Sequence, residues 1–298
     1  MKAKTLTLIC LLIISAAFSP LCAQPAGSEK SLSPGQGDSV NIFLLMGLTR
    51  ESGHWSQLFI TELKKNAPQA RIFFLDLPGS GKHVNAKSCL TIKGMIDFMR
   101  PEALEIMKAN KGGNIICATS LGGMVATEWT IQYKDDFQGL IMINSSFKGI
   151  CTQKERARPE VRMTMLKILL SGSVEKREKL IISINSNKPE IYDSIANINI
   201  DIQNKRKMSR MNIFRQTFAG MRYQPEGKPG LPLLIIGSKA DSLVCPECIE
   251  KTYEAFGGTL VWSQTSGHGL PIDEPVWLSE QIAHWVNTLF EQKTFAQK

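Results

Sequence analysis

A serine between a predicted strand and a predicted helix is the residue whose surroundings point most clearly to chemistry. Ser120 is the centre of the pentapeptide ATSLG, with Ala118 and Gly122 two places to either side. In the pattern G-x-S-x-G, a sharp strand-to-helix turn exposes the serine hydroxyl, and small residues are required at those two places. The turn also directs the backbone N–H of Leu121 and the helix start towards whatever the serine attacks. Ser120 is therefore predicted to be a nucleophile.

A serine needs a neighbouring base to become an effective nucleophile. Of the four histidines, His268 follows the last predicted strand in the sequence SGHG, where a loop can carry it over the carboxyl edge of the sheet. Functional groups of open α/β sheets gather at that edge. His54 is expected to shape the pocket or cap a helix, His83 lies in a predicted loop, and His284 is expected to be a helix-surface residue. His268 is the predicted base.

A carboxylate must hold the base in the correct tautomer. Asp241 directly follows the apolar run LPLLIIGS, so it too falls at the end of a strand. The end of the preceding strand reads Asn144-Ser145-Ser146 and offers no carboxylate there. Ser120, Asp241 and His268 also occur in the chain order nucleophile, acid, histidine that a nucleophile elbow of this kind uses. They are predicted to form a catalytic triad.

Continuous apolar runs separated by helical stretches must position these residues. Runs of this length, without alternation, are typical of a parallel sheet that is covered on both faces, in an open α/β architecture. Strands are predicted at 40–47, 71–77, 114–118, 140–144, 231–237 and 259–262, and helices at 55–66, 91–110, 121–133, 246–256 and 274–290.

The alternation stops between residues 147 and 230, where only amphipathic helical stretches occur. The sequence predicts a core of residues 40–146 and 231–298 with this helical segment inserted. The insertion carries 17 Lys and Arg against 8 Asp and Glu, within a formal net charge of +8. Such a balance suits an anionic substrate or a membrane surface, and it also fits an ordinary solvated helical surface.

The first 23 residues have the features of a secretory signal peptide. Lys2 and Lys4 precede the apolar run 6–18, and Ala23 precedes a plausible cleavage site. Residues 24–39, rich in Gly, Ser and Pro, are predicted to be a flexible linker. The protein is thus expected to be exported to the periplasm or secreted, and the alternative is an uncleaved membrane anchor.

Five cysteines remain after the predicted signal peptide, so at least one is expected to stay unpaired. Cys245 and Cys248 form a C-x-x-C motif, which is interpreted here as two thiols, with a local disulfide or a redox motif as alternatives. The cysteines lack the paired spacing of a zinc site, and neither a metal nor another cofactor is expected.

The chain resembles the α/β-hydrolase superfamily through LLMGL, DLPGSGK, ATSLGG, GSKADSLV and SGHGLPIDEP, which are spread over most of the sequence after the linker. It is most similar to small bacterial carboxylesterases of the pimeloyl-carrier-protein methyl esterase type. The resemblance implies an α/β-hydrolase fold with about six strands and a helical lid at 147–230. It also implies an oxyanion hole made by the backbone N–H groups of Leu48 and Leu121, with Met46 where the family has His.

The resemblance further implies a small-molecule ester or acyl substrate, with no nucleic acid as partner. Trp55, Met163 and Phe214 are the expected substrate contacts, and the apolar residues of the insertion could equally form its own core. A carboxylesterase is the expected enzyme. An acyltransferase or lipase-like activity on the same triad, or a non-catalytic binding protein on the same scaffold, are the alternatives.

Overall fold

The computed structural model describes residues 39–296, with side chains to residue 290. The predicted signal peptide at 1–23 and all but the last residue of the predicted linker at 24–39 lie outside this described part.

Six parallel strands form one sheet, in the order β2-β1-β3-β4-β5-β6. This confirms the predicted sheet, and the strand ends differ from the predicted ones by at most two residues. The strands are β1 Val40–Leu45, β2 Ala70–Leu75, β3 Gly113–Thr119, β4 Gly139–Ile143, β5 Leu233–Ser238 and β6 Thr259–Ser263.

Helices cover both faces of the sheet. Alternate side chains of β1 enter opposite apolar clusters, with Phe43 and Leu45 in one and Ile42 and Leu44 in the other. Because both faces are covered, the strands are predominantly apolar, and their polar residues lie at or near the strand ends. The helices are α1 Gln57–Asn66, α2 Ile92–Ala109, α3 Leu121–Gln132, α4 Gln153–Arg156, α5 Pro159–Leu170, α6 Val174–Asn185, α7 Tyr192–Lys205, α8 Arg210–Arg222, α9 Pro246–Phe256, α10 Leu270–Asp273 and α11 Pro275–Ala296. None of the helices within residues 39–296 is both long enough and apolar enough to span a bilayer.

Between β4 and β5 the chain forms helices α4 to α8 and no strand of the sheet. Val161 and Ile168 of α5 pack with Ile181 and Ile184 of α6 in a small apolar cluster of their own. Helix α8 instead contributes Ala219 to the larger cluster on the α2/α3 face of the sheet. The insertion is thus partly a separate helical layer and partly an extension of the core.

The pairing of the cysteines differs from the sequence interpretation. Cys248 is bonded to Cys151, 97 residues earlier, so neither two free thiols nor a local bridge to Cys245 describes the C-x-x-C motif. Cys248 lies on the buried side of the first turn of α9, against the start of the insertion, whereas Cys245 precedes that helix and remains free. The bond ties the insertion to the helix that follows the Asp241 loop.

Candidate active site

The turn between β3 and α3 holds Ser120 in a strained backbone conformation. Its φ of 52° and ψ of −117° lie where residues other than glycine are rare. The turn is fastened because Ser120 N–H donates to the Ile143 carbonyl of β4, at 2.9 Å, and the Ser145 hydroxyl donates to the Ser120 carbonyl, at 3.0 Å. These two hydrogen bonds hold the strained turn in place, and the turn places the Ser120 side chain at the carboxyl edge of the sheet.

Two glycines after the serine allow the close approach that this turn requires. A Cβ on Gly122 would lie 2.7 Å from the carbonyl oxygens of Leu45 and Met46, and one on Gly123 would lie 1.9 Å from Ser145 Oγ. Neither place has room for a side chain. The small residues demanded by the sequence pattern thus have a steric cause in this fold.

His268 and Asp241 are joined by a short hydrogen bond. The distance from His268 Nδ1 to Asp241 Oδ2 is 2.7 Å, and both side chains are buried. The other carboxylate oxygen, Oδ1, accepts from the backbone N–H groups of Leu243, at 2.7 Å, and Val244, at 3.0 Å. Because Oδ1 is held by two donors, Oδ2 is fixed towards the imidazole, and this favours the tautomer with the proton on Nδ1.

The structure brings His268 and Asp241 into contact but does not join Ser120 to them. Among the described residues, no hydrogen bond to or from the Ser120 hydroxyl is found within 3.5 Å. Hydrogen bonds between a nucleophile and its base are often long in unliganded enzymes and shorten when substrate binds.

Asn144 connects the histidine loop to the ends of two strands. Its side-chain N–H group donates to the His268 carbonyl and to Ser238 Oγ, both at 3.0 Å, and its Oδ1 accepts from Ser238 N–H at 2.9 Å. Asn144 also has a positive φ of 48°, which asparagine tolerates better than most residues. It stands where the sequence showed no carboxylate, and it positions the backbone of His268.

Asp273 fastens the same loop to the insertion. Its buried carboxylate accepts from Gly267 N–H at 2.7 Å, from Asn187 N–H at 3.0 Å and from the Ser186 hydroxyl at 2.5 Å. Next to it, Gly269 N–H donates to the Asn185 carbonyl at 2.6 Å. The end of α6 therefore holds both sides of His268 in place.

The turn after β1 lies against Ser120. A Cβ on Gly47 would be 3.0 Å from Ser120 Cβ and 3.5 Å from Leu121 N, so the chain passes Ser120 at backbone contact. The turn closes with Arg50 N–H donating to the Gly47 carbonyl at 3.2 Å, and Thr49 has a φ of 64°. Strain at a β-branched residue marks a backbone that its surroundings hold in place. Leu48, half-buried, is the residue of this turn that was expected to supply an oxyanion donor.

Buried charges hold the turn to the insertion. Arg50 Nη1 donates to Glu178 Oε2 of α6 at 2.7 Å, and the fully buried Glu178 also lies 3.6 Å from Arg177 Nε. One residue further along, Glu51 accepts from Arg206 through both carboxylate oxygens. Glu51 and Glu178 are both buried, so loss of the arginine partner of either carboxylate would leave a buried charge uncompensated.

His54 caps this segment, as the sequence suggested. Its Nδ1 accepts from the Glu51 N–H at 3.0 Å. Burial, and then the positive charge of Arg50, hold the pKa of His54 well below its usual range, so this ring stays neutral at pH 7. His284 is an exposed helix residue, as the sequence suggested.

The sequence of the chain matches the model of a known protein family. The model of the Hydrolase_4 family, described as serine aminopeptidase S33, matches residues 39–274, which is most of the chain. The chain belongs to this family.

Solved structures of other proteins share the fold of this hydrolase. It is similar to an enol-lactonase from Burkholderia xenovorans LB400, with a TM-score of 0.67, 16% identity and coverage of 85% of this chain and 94% of that one. A thermophilic esterase from Thermogutta terrifontis gives 0.65, 17%, 85% and 92%, and a hydrolase from Oleispira antarctica gives 0.66, 15%, 84% and 91%. At these identities the likeness shows the α/β-hydrolase fold.

A curated relative of this hydrolase is the pimeloyl-[acyl-carrier protein] methyl ester esterase of Wigglesworthia glossinidia brevipalpis. The two are 31% identical over 117 residues, and the match spans 39% of this chain and 40% of the relative.

The expected substrate contacts of the hydrolase fall in different surroundings. Trp55 is buried in the apolar cluster on the α1/α11 face and stacks on Phe59, with ring centroids 5.3 Å apart. Met163 of α5 and Phe214 of α8 are both exposed to solvent. Within the described residues, no group of three His, Cys, Asp or Glu side chains is arranged to hold a metal ion.

Several positioning residues of the hydrolase were missed by sequence reasoning. Asn144 and Asp273 act through side-chain bonds to residues far away in the chain, and a single sequence carries no signal of such bonds. Asp76, in the DLPGSGK segment, accepts from the N–H groups of Ser52 and Lys82 and so joins the loops after β1 and β2. The predicted strand at 71–77 contained Asp76, and only the structure, in which β2 ends at Leu75, places this carboxylate directly after a strand.

Proposed function

We propose that the protein is a serine hydrolase that cleaves a carboxylic ester or thioester through an acyl-enzyme. The observation that carries this proposal is the bond of 2.7 Å between the buried Asp241 and His268, which follow strands of the same sheet whose carboxyl edge also carries Ser120 on a strained strand-to-helix turn. Membership of a hydrolase family supports the same chemistry. Ser120 is the nucleophile, His268 the base and Asp241 the acid.

In the acylation step, Ser120 Oγ attacks the carbonyl carbon of the ester while its proton passes to His268 Nε2. The imidazolium that results is stabilised by Asp241, because its Nδ1–H already points at the carboxylate. The negative charge on the former carbonyl oxygen is held by the N–H groups of Leu48 and Leu121. Leu121 is the first residue of α3, so its N–H has no acceptor within the helix and the helix dipole adds to the attraction.

Collapse of this intermediate releases the alcohol or thiol, which takes its proton from His268 Nε2. A water molecule then gives a proton to the same nitrogen and attacks the acyl-enzyme. The acid leaves, and Ser120 regains its proton. No step requires a metal or an organic cofactor.

The partial match to a pimeloyl-[acyl-carrier protein] methyl ester esterase favours a carboxylic ester of an acyl chain. An acyl chain could approach through the insertion, whose helix α8 lies against the nucleophile turn. A Cβ on Gly220 of α8 would be 2.8 Å from Leu121 Cδ1. We propose that the insertion acts as a lid over the acyl pocket.

A fluorophosphonate probe tests the proposal directly, since it reacts only with an activated serine. We expect stoichiometric labelling of the peptide that contains Ser120, and complete loss of labelling in Ser120→Ala. Ser183→Ala, which removes an exposed serine of α6, is the matched control and should label as the wild type does. An unlabelled wild type, or labelling that survives in Ser120→Ala, would overturn the assignment.

We also propose that the protein is exported. The disulfide between Cys151 and Cys248 supports this, because such bonds persist in oxidising compartments and are rare in the cytosol. The N-terminal sequence of the protein recovered from cell fractions tests it. A mature chain that begins at Gln24 in the periplasm or medium is the expected result, and an intact Met1 in the cytosol would contradict it.

A further inference from the structure

The outward faces of α5 and α8 carry an apolar surface that the core does not use. Met163, Leu166 and Leu170 of α5 are between 46% and 60% exposed, and their spacing places them on one side of that helix. Met211, Phe214 and Met221 of α8 are exposed to a similar extent and again share one side. The half-buried Phe218 stacks on Phe214 and extends this row.

These two rows belong to neighbouring helices, because α5 packs against α8. Single exposed apolar residues are ordinary on protein surfaces, but six at helical spacing on two packed helices form a patch of the kind that marks an interaction site. The patch consists of Met163, Leu166, Leu170, Met211, Phe214 and Met221, and we call it the α5–α8 surface.

The buried face of α8 combines the apolar Ile213 and Ala219 with two polar side chains. Asn212 is buried and bonds to Ser88 N–H and to the Ala86 carbonyl, while the buried Gln216 donates to the Pro78 carbonyl. The large apolar residues of a surface helix normally lie on its buried face, whereas Met211, Phe214 and Met221 lie on the outer face of α8. Folding stability therefore does not account for the Met and Phe residues on the outer face of α8.

Basic residues border the α5–α8 surface. Helix α8 contains three arginines and no acidic residue, and α5 adds Arg162 and Lys167 against the single acid Glu160. The Arg222 guanidinium lies over the Phe218 ring, 5.1 Å from its centroid, so positive charge reaches the apolar row itself. Apolar side chains flanked by arginine and lysine are the combination with which a helix lies in the interface of an anionic bilayer.

The inner side of α8 contacts the nucleophile turn, through Gly220 against Leu121 and Met124. A helix is about 10–12 Å across with its side chains, so the α5–α8 surface is one helix thickness from the residue that follows Ser120. A molecule resting in a membrane beneath this surface would have a short path to the catalytic serine.

We propose that the α5–α8 surface docks the protein on a bilayer containing anionic phospholipid, and that the hydrolase draws its acyl-ester substrates from that bilayer. The docking step stands on the surface alone, whereas the substrate class rests on the proposed function. The excess of basic over acidic residues in both helices favours the lipid surface over a protein partner, and apolar side chains of Met, Leu and Phe suit insertion among acyl chains.

Co-sedimentation with vesicles tests the docking step. The protein, purified from the soluble fraction of expressing cells, is mixed with vesicles of phosphatidylcholine alone or with 30 mol% phosphatidylglycerol. Leu170→Ser combined with Met211→Ser removes one apolar residue from each helix. Leu58→Ser removes an equally exposed leucine from α1, outside the insertion, and is the matched control.

We expect the wild type and Leu58→Ser to bind the anionic vesicles alike, with at least tenfold weaker binding to phosphatidylcholine, and the double variant to bind the anionic vesicles at least tenfold more weakly. Slowed amide exchange in α5 and α8 on vesicle addition should accompany binding. No binding by the wild type, equal binding to both lipids, or an equal loss in Leu58→Ser would overturn the proposal. If the double variant raised KM for soluble long-chain esters while the wild type ignored vesicles, the surface would be an acyl groove instead.

Fluorophosphonate labelling of the same samples separates the two proposals. Vesicle binding without labelling would leave the docking surface standing and remove the serine hydrolase. Labelling without vesicle binding would support the serine hydrolase and overturn the docking surface.

Discussion

Replacement of Asp241 by asparagine tests the assignment of the base and its tautomer in one residue. An asparagine side chain has the shape of the aspartate, but one of its two ends is an NH₂ donor. The Oδ1 position faces the N–H groups of Leu243 and Val244, at 2.7 and 3.0 Å, and two donors there would repel an NH₂ group. The amide must therefore turn its NH₂ group towards His268 Nδ1, which lies 2.7 Å from the Oδ2 position.

That orientation makes Nδ1 an acceptor and moves the ring proton to Nε2. A protonated Nε2 cannot take the proton of Ser120, so the acylation step loses its base. We expect Asp241→Asn to lower kcat by on the order of 10⁴, as a wrong histidine tautomer does. This corresponds to about 5 kcal/mol of barrier. KM should change little, because the carboxylate faces the histidine and not the substrate.

Stopped-flow measurement of the burst of p-nitrophenol from an activated ester gives the acylation rate. The rate is expressed per active site, and the active sites are counted by titration. Nitrogen NMR of labelled His268 reports which ring nitrogen carries the proton. Asp273→Asn is the matched control, since this carboxylate is equally buried in the same loop and does not touch the ring. Its asparagine can keep the backbone donors on one end and give an N–H to the Ser186 hydroxyl on the other, so a change of less than tenfold is expected. A loss below tenfold in Asp241→Asn, or equal losses in both variants, would refute the reasoning.

Four further substitutions test the frame around the site. Gly47→Ala should lower the acylation rate by on the order of 10²–10³, because the added methyl group would displace the oxyanion turn and with it one donor. Glu178→Gln should lower the free energy of unfolding in urea by about 3–5 kcal/mol, since it leaves buried arginines without their charge partner. Cys151→Ser should lower it by about 4–5 kcal/mol, because the bond closes a loop of nearly 100 residues in the unfolded chain. His54→Gln should flatten the pH dependence of unfolding. Burial lowers the folded pKa of His54, so below about pH 6.5 the unfolded chain binds a proton that the folded one does not, and stability falls with pH by up to about 1.4 kcal/mol per unit.

Each of these has a control in the chain. Gly172, which has open space around its Cα, should tolerate alanine without loss of activity. Glu175→Gln breaks an exposed pair with Lys179 and should change stability by less than about 0.5 kcal/mol. Cys245→Ser removes a free thiol and should leave the unfolding midpoint unchanged. His284→Gln, at an exposed position, should leave the decline of stability below pH 6.5 as steep as in the wild type. If a control variant changed the measured quantity as much as its test variant does, the structural argument for that test variant would be wrong.

The sequence by itself determined the sheet and the members of the candidate site. Continuous apolar runs specify strands buried on both faces, and small residues around Ser120 are needed for a turn whose constraints are local. Asp241 and His268 could be found because each follows a strand, and the carboxyl ends of parallel strands meet at one edge. These features depend on residues that are close together in the chain, so they can be recognised from the sequence alone.

Only the tertiary structure decided how the site is held. Asn144 reaches His268 across 124 residues, Arg50 reaches Glu178 across 128, and Cys151 meets Cys248 across 97. Such partners are chosen by the packing of the insertion on the core, and each residue type has many equivalent candidates along the sequence. The same holds for α8, where only the packing showed that Asn212 and Gln216 lie on the buried side while Met211, Phe214 and Met221 lie outside.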